Sequence, residues 1–265
     1  MQHPPNQSLS RALRVQARVV HALIMREIIT RYGRHNIGFA WLFAEPMLFT
    51  IGIMLLWGIV HREASTQVDI IPFALVSYST VLMWRNGIGR CALAITPNAS
   101  LLFHRNVRVI DLFLARLALE IGGVTLSTAT LMIILMVTGI IAPPVDILRM
   151  IGAWALLAWY TIAMALIIGG LTEFSEIVDR LWHPIAYFQL PVSGAFIMSS
   201  YLPPHLRDII SLFPTANCAE LLRYGYFGDK VTPYYDVPYV CAVCLVLTWL
   251  GLYIVRGASK RVEMQ

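Results

Sequence analysis

Charges set inside apolar sequence are the residues of this chain best placed to do chemistry. Arg85 and Arg90 lie in the stretch Trp84-Arg-Asn-Gly-Ile-Gly-Arg90, Arg116 and Glu120 stand four residues apart, and Glu45 precedes Pro46. A charge at the centre of a bilayer costs about 2.5–3.5 kcal/mol on insertion scales, so each needs a partner or water. The spacing of Arg116 and Glu120 predicts a structural ion pair one helical turn apart, bracing the base of its helix. Direct contact with a substrate is the alternative. Arg85 has no acid within a turn, and Asn86 adds a second polar group beside it. Water or an anionic ligand would satisfy that arginine equally well.

Bond-making chemistry finds no support. The dipeptide Gly-Lys is absent, so a Walker-A nucleotide loop is excluded, and no GxSxG, HExxH or GxGxxG pattern occurs. The histidines, His3, His21, His35, His61, His104, His183 and His205, are scattered without metal-ligand spacing. Of the four cysteines, Cys91, Cys218, Cys241 and Cys244, the last two form a CxxC within an apolar run and read as small buried hydrophobes, not as a metal or redox site. Glu173, Glu176 and Asp179 are the one acidic cluster that an enzyme could use, and a solvated loop accounts for them as well. We therefore expect no catalytic residue, no metal and no cofactor held by this chain.

A second clue is the stretch Asn98-Ala-Ser-Leu-Leu-Phe-His-Arg-Asn106. It can form about two turns of helix whose apolar side is Leu101, Leu102 and Phe103. A loop has little reason to carry such a face unless it docks on a partner or rests on lipid.

The elements that must position these residues follow from composition. The 265 residues are 58% hydrophobic and 13% charged, with mean hydropathy +0.67. Soluble domains are about 45–50% apolar and about 25% charged. The expected fold is an all-α integral membrane protein. At about 20 apolar residues per crossing, the length allows six transmembrane helices. They fall at about 37–60, 70–95, 111–141, 147–171, 181–200 and 237–255, within a single transmembrane domain over 35–265. Residues 1–9 form a disordered leader. Residues 10–34 repeat Leu13, Ala17, Val20, Leu23, Ile24 and Ile28 at three- and four-residue steps between arginines, the pattern of an amphipathic interface helix. The region 201–228, broken by paired prolines, is too short in each piece to cross and reads as a re-entrant helical pair.

Net charge of +5 does not point to nucleic acid, because the basic residues flank apolar spans. Arg11, Arg14, Arg18, Arg26, Arg31 and Arg34, then Arg105 and Arg108, then Arg256, Lys260 and Arg261 fall on one side of a six-crossing chain. That side, with both termini, is expected to be cytoplasmic. The acidic loop Glu173 to Arg180 falls there too, but acidic residues weigh little in this rule. No cleaved signal peptide is expected, because the segment to Arg34 is too basic for a secretory h-region.

Arg26-Glu-Ile-Ile-Thr-Arg-Tyr32, followed by Gly38, Trp41 and Glu45-Pro46, resembles the opening segment of ABC-transporter permeases that export polysaccharides, in particular the capsular (group 2 capsule) permeases. Asn98, Leu101, Arg105, Val107, Asp111, Ala115-Arg116 and Leu119-Glu120 resemble the family's first cytoplasmic loop and third span. Pro204, Pro214, Glu220 and Arg223 resemble its region before the last span. The resemblance runs from about Val19 to the C-terminus. The family often has prolines near positions 106 and 109, where this chain has Asn106 and Val109.

The resemblance implies a homodimer in the bacterial inner membrane, joined to two separate ATPase subunits that bind ATP and Mg. A coupling helix over about 98–106 would dock on the ATPase through Asn98, Leu101, Leu102, Phe103, Arg105 and Arg108. The cargo would be a lipid-linked, acidic capsular polysaccharide. Arg26, Arg31, Tyr32, Arg34, Trp41, Trp84, Arg85 and Arg90 would contact it through charge-assisted hydrogen bonds and ring stacking. Periplasmic or outer-membrane export proteins would be further partners. An O-antigen or teichoic-acid permease, or an exporter of small molecules or lipids, fits the same pattern. Readings of another class are a membrane enzyme acting on polyprenyl-linked sugars and a scaffold that only recruits partners.

Overall fold

The computed structural model describes residues 9–32, 36–60, 68–102 and 107–262. Residues 1–8 of the expected leader, Arg34, Phe103 and Arg105 fall outside them, as does the side chain of Tyr32, while Leu9 already opens the first helix. Every regular element among the described residues is helical: α1 (Leu9–Tyr32), α2 (Asn36–Val60), α3 (Ile70–Cys91), α4 (Ala99–Leu102), α5 (Val109–Val137), α6 (Ile147–Leu171), α7 (Glu176–Val192), α8 (Pro204–Ser211), α9 (Pro214–Phe227) and α10 (Val237–Val262). Short 3-10 turns at Thr96–Asn98, Ser199–Tyr201 and Gly228–Lys230 join some of them.

Among the described residues, four helical segments are long and apolar enough to cross a membrane: Ala40–Val60, Val109–Val137, Ile147–Leu171 and Val237–Arg261. Six were expected. The two that fall short differ from the rest in physical character. α3 carries Ser77, Ser79, Thr80, Arg85, Asn86 and Arg90, and most of it is buried by other helices instead of lipid. α7 has 17 residues and contains Pro184 and Pro191.

Local signals set several helix ends. The Asp146 carboxylate accepts from Arg149 N at 2.9 Å and starts α6, and the Ser175 hydroxyl accepts from Ile177 N at 3.3 Å and starts α7. Pro214 opens α9, where a missing N–H does no harm, and Gly228 closes it at φ 60°.

α6 is the packing centre, with α3, α9 and α10 against it. Small residues let the backbones approach. A Cβ on Gly251 of α10 would lie 2.8 Å from Leu166 Cβ, and one on Gly169 would collide with the Cys91 carbonyl and the Phe113 ring. Close packing of this kind substitutes for the hydrophobic drive that helices lack within lipid. α9 is buried along nearly its whole length and includes the Glu220–Arg223 ion pair.

α1 rests on its own chain. Leu23 packs with Leu112 and Ala115 of α5, and Val19, Val20, Ile24, Leu101, Leu102 and Val107 surround that cluster. The apolar face of α1 read from the sequence is thus shared with α5 and with the segment after α3.

Candidate functional site

A cleft of about 320 Å³ opens where α2, α3 and α7 meet. α2 supplies Glu45, Pro46 and Phe49; α3 supplies Tyr78, Arg85, Asn86 and Arg90; α7 supplies Trp182, His183 and Tyr187. The α3 residues 78, 82, 85, 86 and 89 recur at three- and four-residue steps, so one helical face forms the wall. Trp84 points elsewhere. It is fully buried among Ile88, Phe113 and Leu157 in the core. The expectation that its ring meets sugar in a channel is corrected: Trp84 lies on the side of α3 away from residues 78, 82, 85 and 89 and turns into the core. Trp41 is half-exposed on α2 and does not line the cleft.

Arg85 does have a partner, but a neutral one. Its Nη2 donates to the Tyr187 hydroxyl at 2.8 Å, and its guanidinium lies 4.7 Å from the centre of that ring. Among the described residues no carboxylate forms an ion pair with Arg85, nor does any cation with Glu45. The cleft wall therefore holds Arg85 and Arg90 against one acid, Glu45.

Behind Arg90 lies a network that the sequence reading paired differently. Arg116 and Glu120 do not pair with each other. Glu120 is hydrogen-bonded by Arg31 of α1, and Arg90 Nε approaches its Oε1 to 3.6 Å. Arg116 Nε lies 3.4 Å from Glu27 Oε1, and Arg116 Nη1 donates to the carbonyls of Arg90 at 2.7 Å and Leu93 at 2.8 Å. The Arg90 carbonyl lies in the last turn of α3, where helical acceptors lack intrahelical donors, and Leu93 lies just beyond it. The physical reason is a facing helix. α1 carries Glu27 then Arg31, and α5 carries Arg116 then Glu120, so the two helices present opposite charges at matching steps. Glu27 was not singled out from the sequence. Its i,i+4 spacing to Arg31, reversed in sign relative to Arg116 and Glu120, is the signal that could have found it.

The same helix clamps the segment after α3. Arg26 Nη1 donates to Asn98 Oδ1 at 2.7 Å, Asn98 Nδ2 donates to Ala94 O at 3.0 Å, and Gln16 Nε2 donates to Asp111 Oδ1 at 3.0 Å. Asn98 is buried, and Leu101 and Leu102 are half-buried beside α1. In this conformation Asn98, Leu101 and Leu102 hold the segment onto α1. Of the other docking residues expected, Arg108 is exposed, and its N–H donates to Asp111 Oδ2 at 3.0 Å. Glu176 and Asp179 stand in the first turn of α7, and Glu176 pairs with Arg180 at 3.6 Å in solvent. Acids there favour the helix N-terminus.

Several long apolar helices with a charged cleft set among them define a multi-pass membrane protein. The chain belongs to the ABC-2 type transporter family, which its residues 18–227 match. It is 41% identical over 254 residues, 96% of each chain, to the capsule polysaccharide export inner-membrane protein CtrC of Neisseria meningitidis serogroup B. It is 38% identical over 265 residues, 100% of each chain, to the capsule polysaccharide export inner-membrane protein BexB of Haemophilus influenzae. The polysialic acid transport protein KpsM of Escherichia coli is 25% identical over 250 residues, 93% of this chain and 95% of the relative.

Proposed function

We propose that this chain is the permease subunit of an ATP-driven exporter that moves a lipid-linked, acidic capsular polysaccharide across the bacterial inner membrane. One observation carries the reading: Arg85 and Arg90 face a single cleft in a chain similar along its whole length to capsule polysaccharide export proteins. Guanidinium forks suit carboxylate and phosphate groups, and the half-exposed Trp41 and the Tyr187 ring offer faces for sugar rings. α3 and α7 complete six crossings beside the four long apolar helices. α3 does so inside the bundle and α7 as a helix interrupted by Pro184 and Pro191, which spanning helices tolerate beside neighbours. α8 and α9 form the re-entrant pair, and α1 lies at the headgroups on the cytoplasmic side with both termini.

The chain works as a homodimer with two ATPase subunits, which bind the ATP and Mg. The segment from Asn98 through Phe103 and Arg105 to Arg108 meets the ATPase. Arg26, Tyr32 and Arg34 meet the cargo where it enters from the inner leaflet, and Arg31 stands behind them on Glu120.

Two charge reversals test this division of roles. Arg85→Glu abolishes surface polysaccharide while a tagged chain still co-purifies its ATPase, and Arg105→Glu weakens that co-purification. Equal effects of the two variants on both measurements overturn the division. Surface polysaccharide persisting after deletion of this chain overturns the function itself.

A further inference from the structure

We propose that Glu120 is the resident counter-ion of the cleft, a positioning residue that holds Arg90 until an anionic group of the cargo displaces it. The inference rests on the transport reading only for the identity of the cargo; the exchange of anions stands on geometry.

Glu120 serves two arginines with unequal grip. Arg31 is hydrogen-bonded to it, and both groups are largely buried, at 20% and 7% side-chain exposure. Arg90 is 50% exposed and stays 3.6 Å away, beyond hydrogen-bond length. A half-exposed contact of that length is weak and readily exchanged. Arg90 also belongs to the cleft wall, so its remaining donors face the space that a ligand would fill.

The backbone beneath Arg90 is fixed, because Arg116 donates to the Arg90 carbonyl at 2.7 Å. The exchange is therefore a swing of the side chain and needs no movement of α3. Arg85, on the same wall, has among the described residues only Tyr187 for a hydrogen-bond partner and can join Arg90 on one anion. Glu45 on the α2 wall repels that anion and steers it toward α3. After the swing Glu120 is not stranded, since Arg31 keeps it paired. That removes the cost that otherwise follows when a buried charge loses its partner. Two arginines on one carboxylate make the site ready for anions without leaving a naked charge in either state.

The shared ligand chemistry is a phosphate or carboxylate anion, from the lipid anchor or from an acidic sugar. The test uses the full-length chain in phosphatidylcholine nanodiscs. Dihexanoyl phosphatidylglycerol and trigalacturonate are the two anionic probes, and dihexanoyl phosphatidylcholine is the neutral control. Binding of the first probe identifies the lipid phosphate as the source, and binding of the second identifies the sugar carboxylate. Binding of neither overturns the proposal.

Glu120→Gln removes the internal competitor, so the half-saturating probe concentration falls, by up to about fivefold for a partly exposed pair. Damage to the structure would move it the other way. Arg90→Gln abolishes the gain when combined with Glu120→Gln. Glu27→Gln removes an equal charge nearby that serves Arg116, and it leaves binding as in the parent chain. Tightening in Glu27→Gln equal to that in Glu120→Gln would reduce the effect to net charge and overturn the proposal. Should Glu120→Gln fail to fold, Glu120→Asp answers the same question. One methylene shorter, it draws the carboxylate back from the already loose Arg90 contact and again tightens binding; unchanged or weaker binding overturns the assignment. Tightening in a chain that proves dispensable for surface polysaccharide would leave the counter-ion role standing and remove only the export reading.

Discussion

Two charge clusters built from the same residue types lie toward opposite ends of α3, and they do opposite work. At one end Arg223 and Glu220 of α9 are 1% and 3% exposed in their side chains and bonded to each other. Arg223 also donates to the Gly194 carbonyl and to Ser77 Oγ, and Glu220 accepts from Ser199 N at 2.9 Å. At the other end Glu120 is shared between Arg31 and a half-exposed Arg90 that opens on a cleft. A cluster closed on all sides ties together three parts of the chain: α3, α9 and the loop after α7. A cluster with a loose, solvent-facing arm can trade a protein partner for a ligand. Burial and number of partners, not the presence of charge, separate the two.

The largest expected effect breaks the closed cluster. Arg223→Met leaves Glu220 buried without its cation, at a cost of about 3–5 kcal/mol. Size-exclusion profiles and melting in detergent should show loss of the folded chain. The double variant Glu220→Leu with Arg223→Met should recover much of the loss, because a buried pair replaced by apolar groups is often near neutral. If Arg223→Met alone melts like the parent, the closed cluster is not structural and the comparison fails. The second effect sharpens the other side. Arg85→Gln removes a guanidinium bonded to the neutral Tyr187, so melting should change by less than about 1 kcal/mol. Export should fall about tenfold or more, as expected for the loss of a charge-assisted hydrogen bond to cargo. Surface polysaccharide and melting, measured on the same variant, separate the two outcomes.

The sequence exposed the long helices more readily than the site. α2, α5, α6 and α10 are long apolar runs, and their composition alone declares them. α3 reads less clearly because its charges and hydroxyls dilute it, and protein instead of lipid covers most of it. The i,i+4 spacing of Arg116 and Glu120 is genuine, but spacing reports only that two groups share a face. It cannot say whether a third helix brings stronger partners, and α1 brings both Glu27 and Arg31. An aromatic residue such as Trp84 suits a sugar ring by type, but type does not tell which side of α3 faces the cleft, and Trp84 lies on the side that packs into the core. Tyr187 and His183 gave no signal at all, since their place beside Arg85 depends on how α7 crosses α3.

The smallest expected effect supplies a third kind of charge pair against which the other two are measured. Glu176 and Arg180 lie one turn apart at the start of α7, 3.6 Å from each other, with side chains 89% and 77% exposed. Solvent screens such a pair, so it is worth about 0.3–0.5 kcal/mol. Glu176 also lies in the first turn, where an acid adds about 0.3–1 kcal/mol with the helix dipole. Glu176→Gln should therefore lower the melting temperature only slightly, and most of that loss should vanish in high salt, where both contributions are screened. Arg180→Gln, which keeps the dipole contact and loses only the pair, should do still less. The same salt should leave the Arg223→Met defect unchanged, because water and ions do not reach α9. A salt-insensitive loss at Glu176 would mean that this helix start is buried by something outside the chain, and that exposure in a single copy misjudges how the acids of α7 are used.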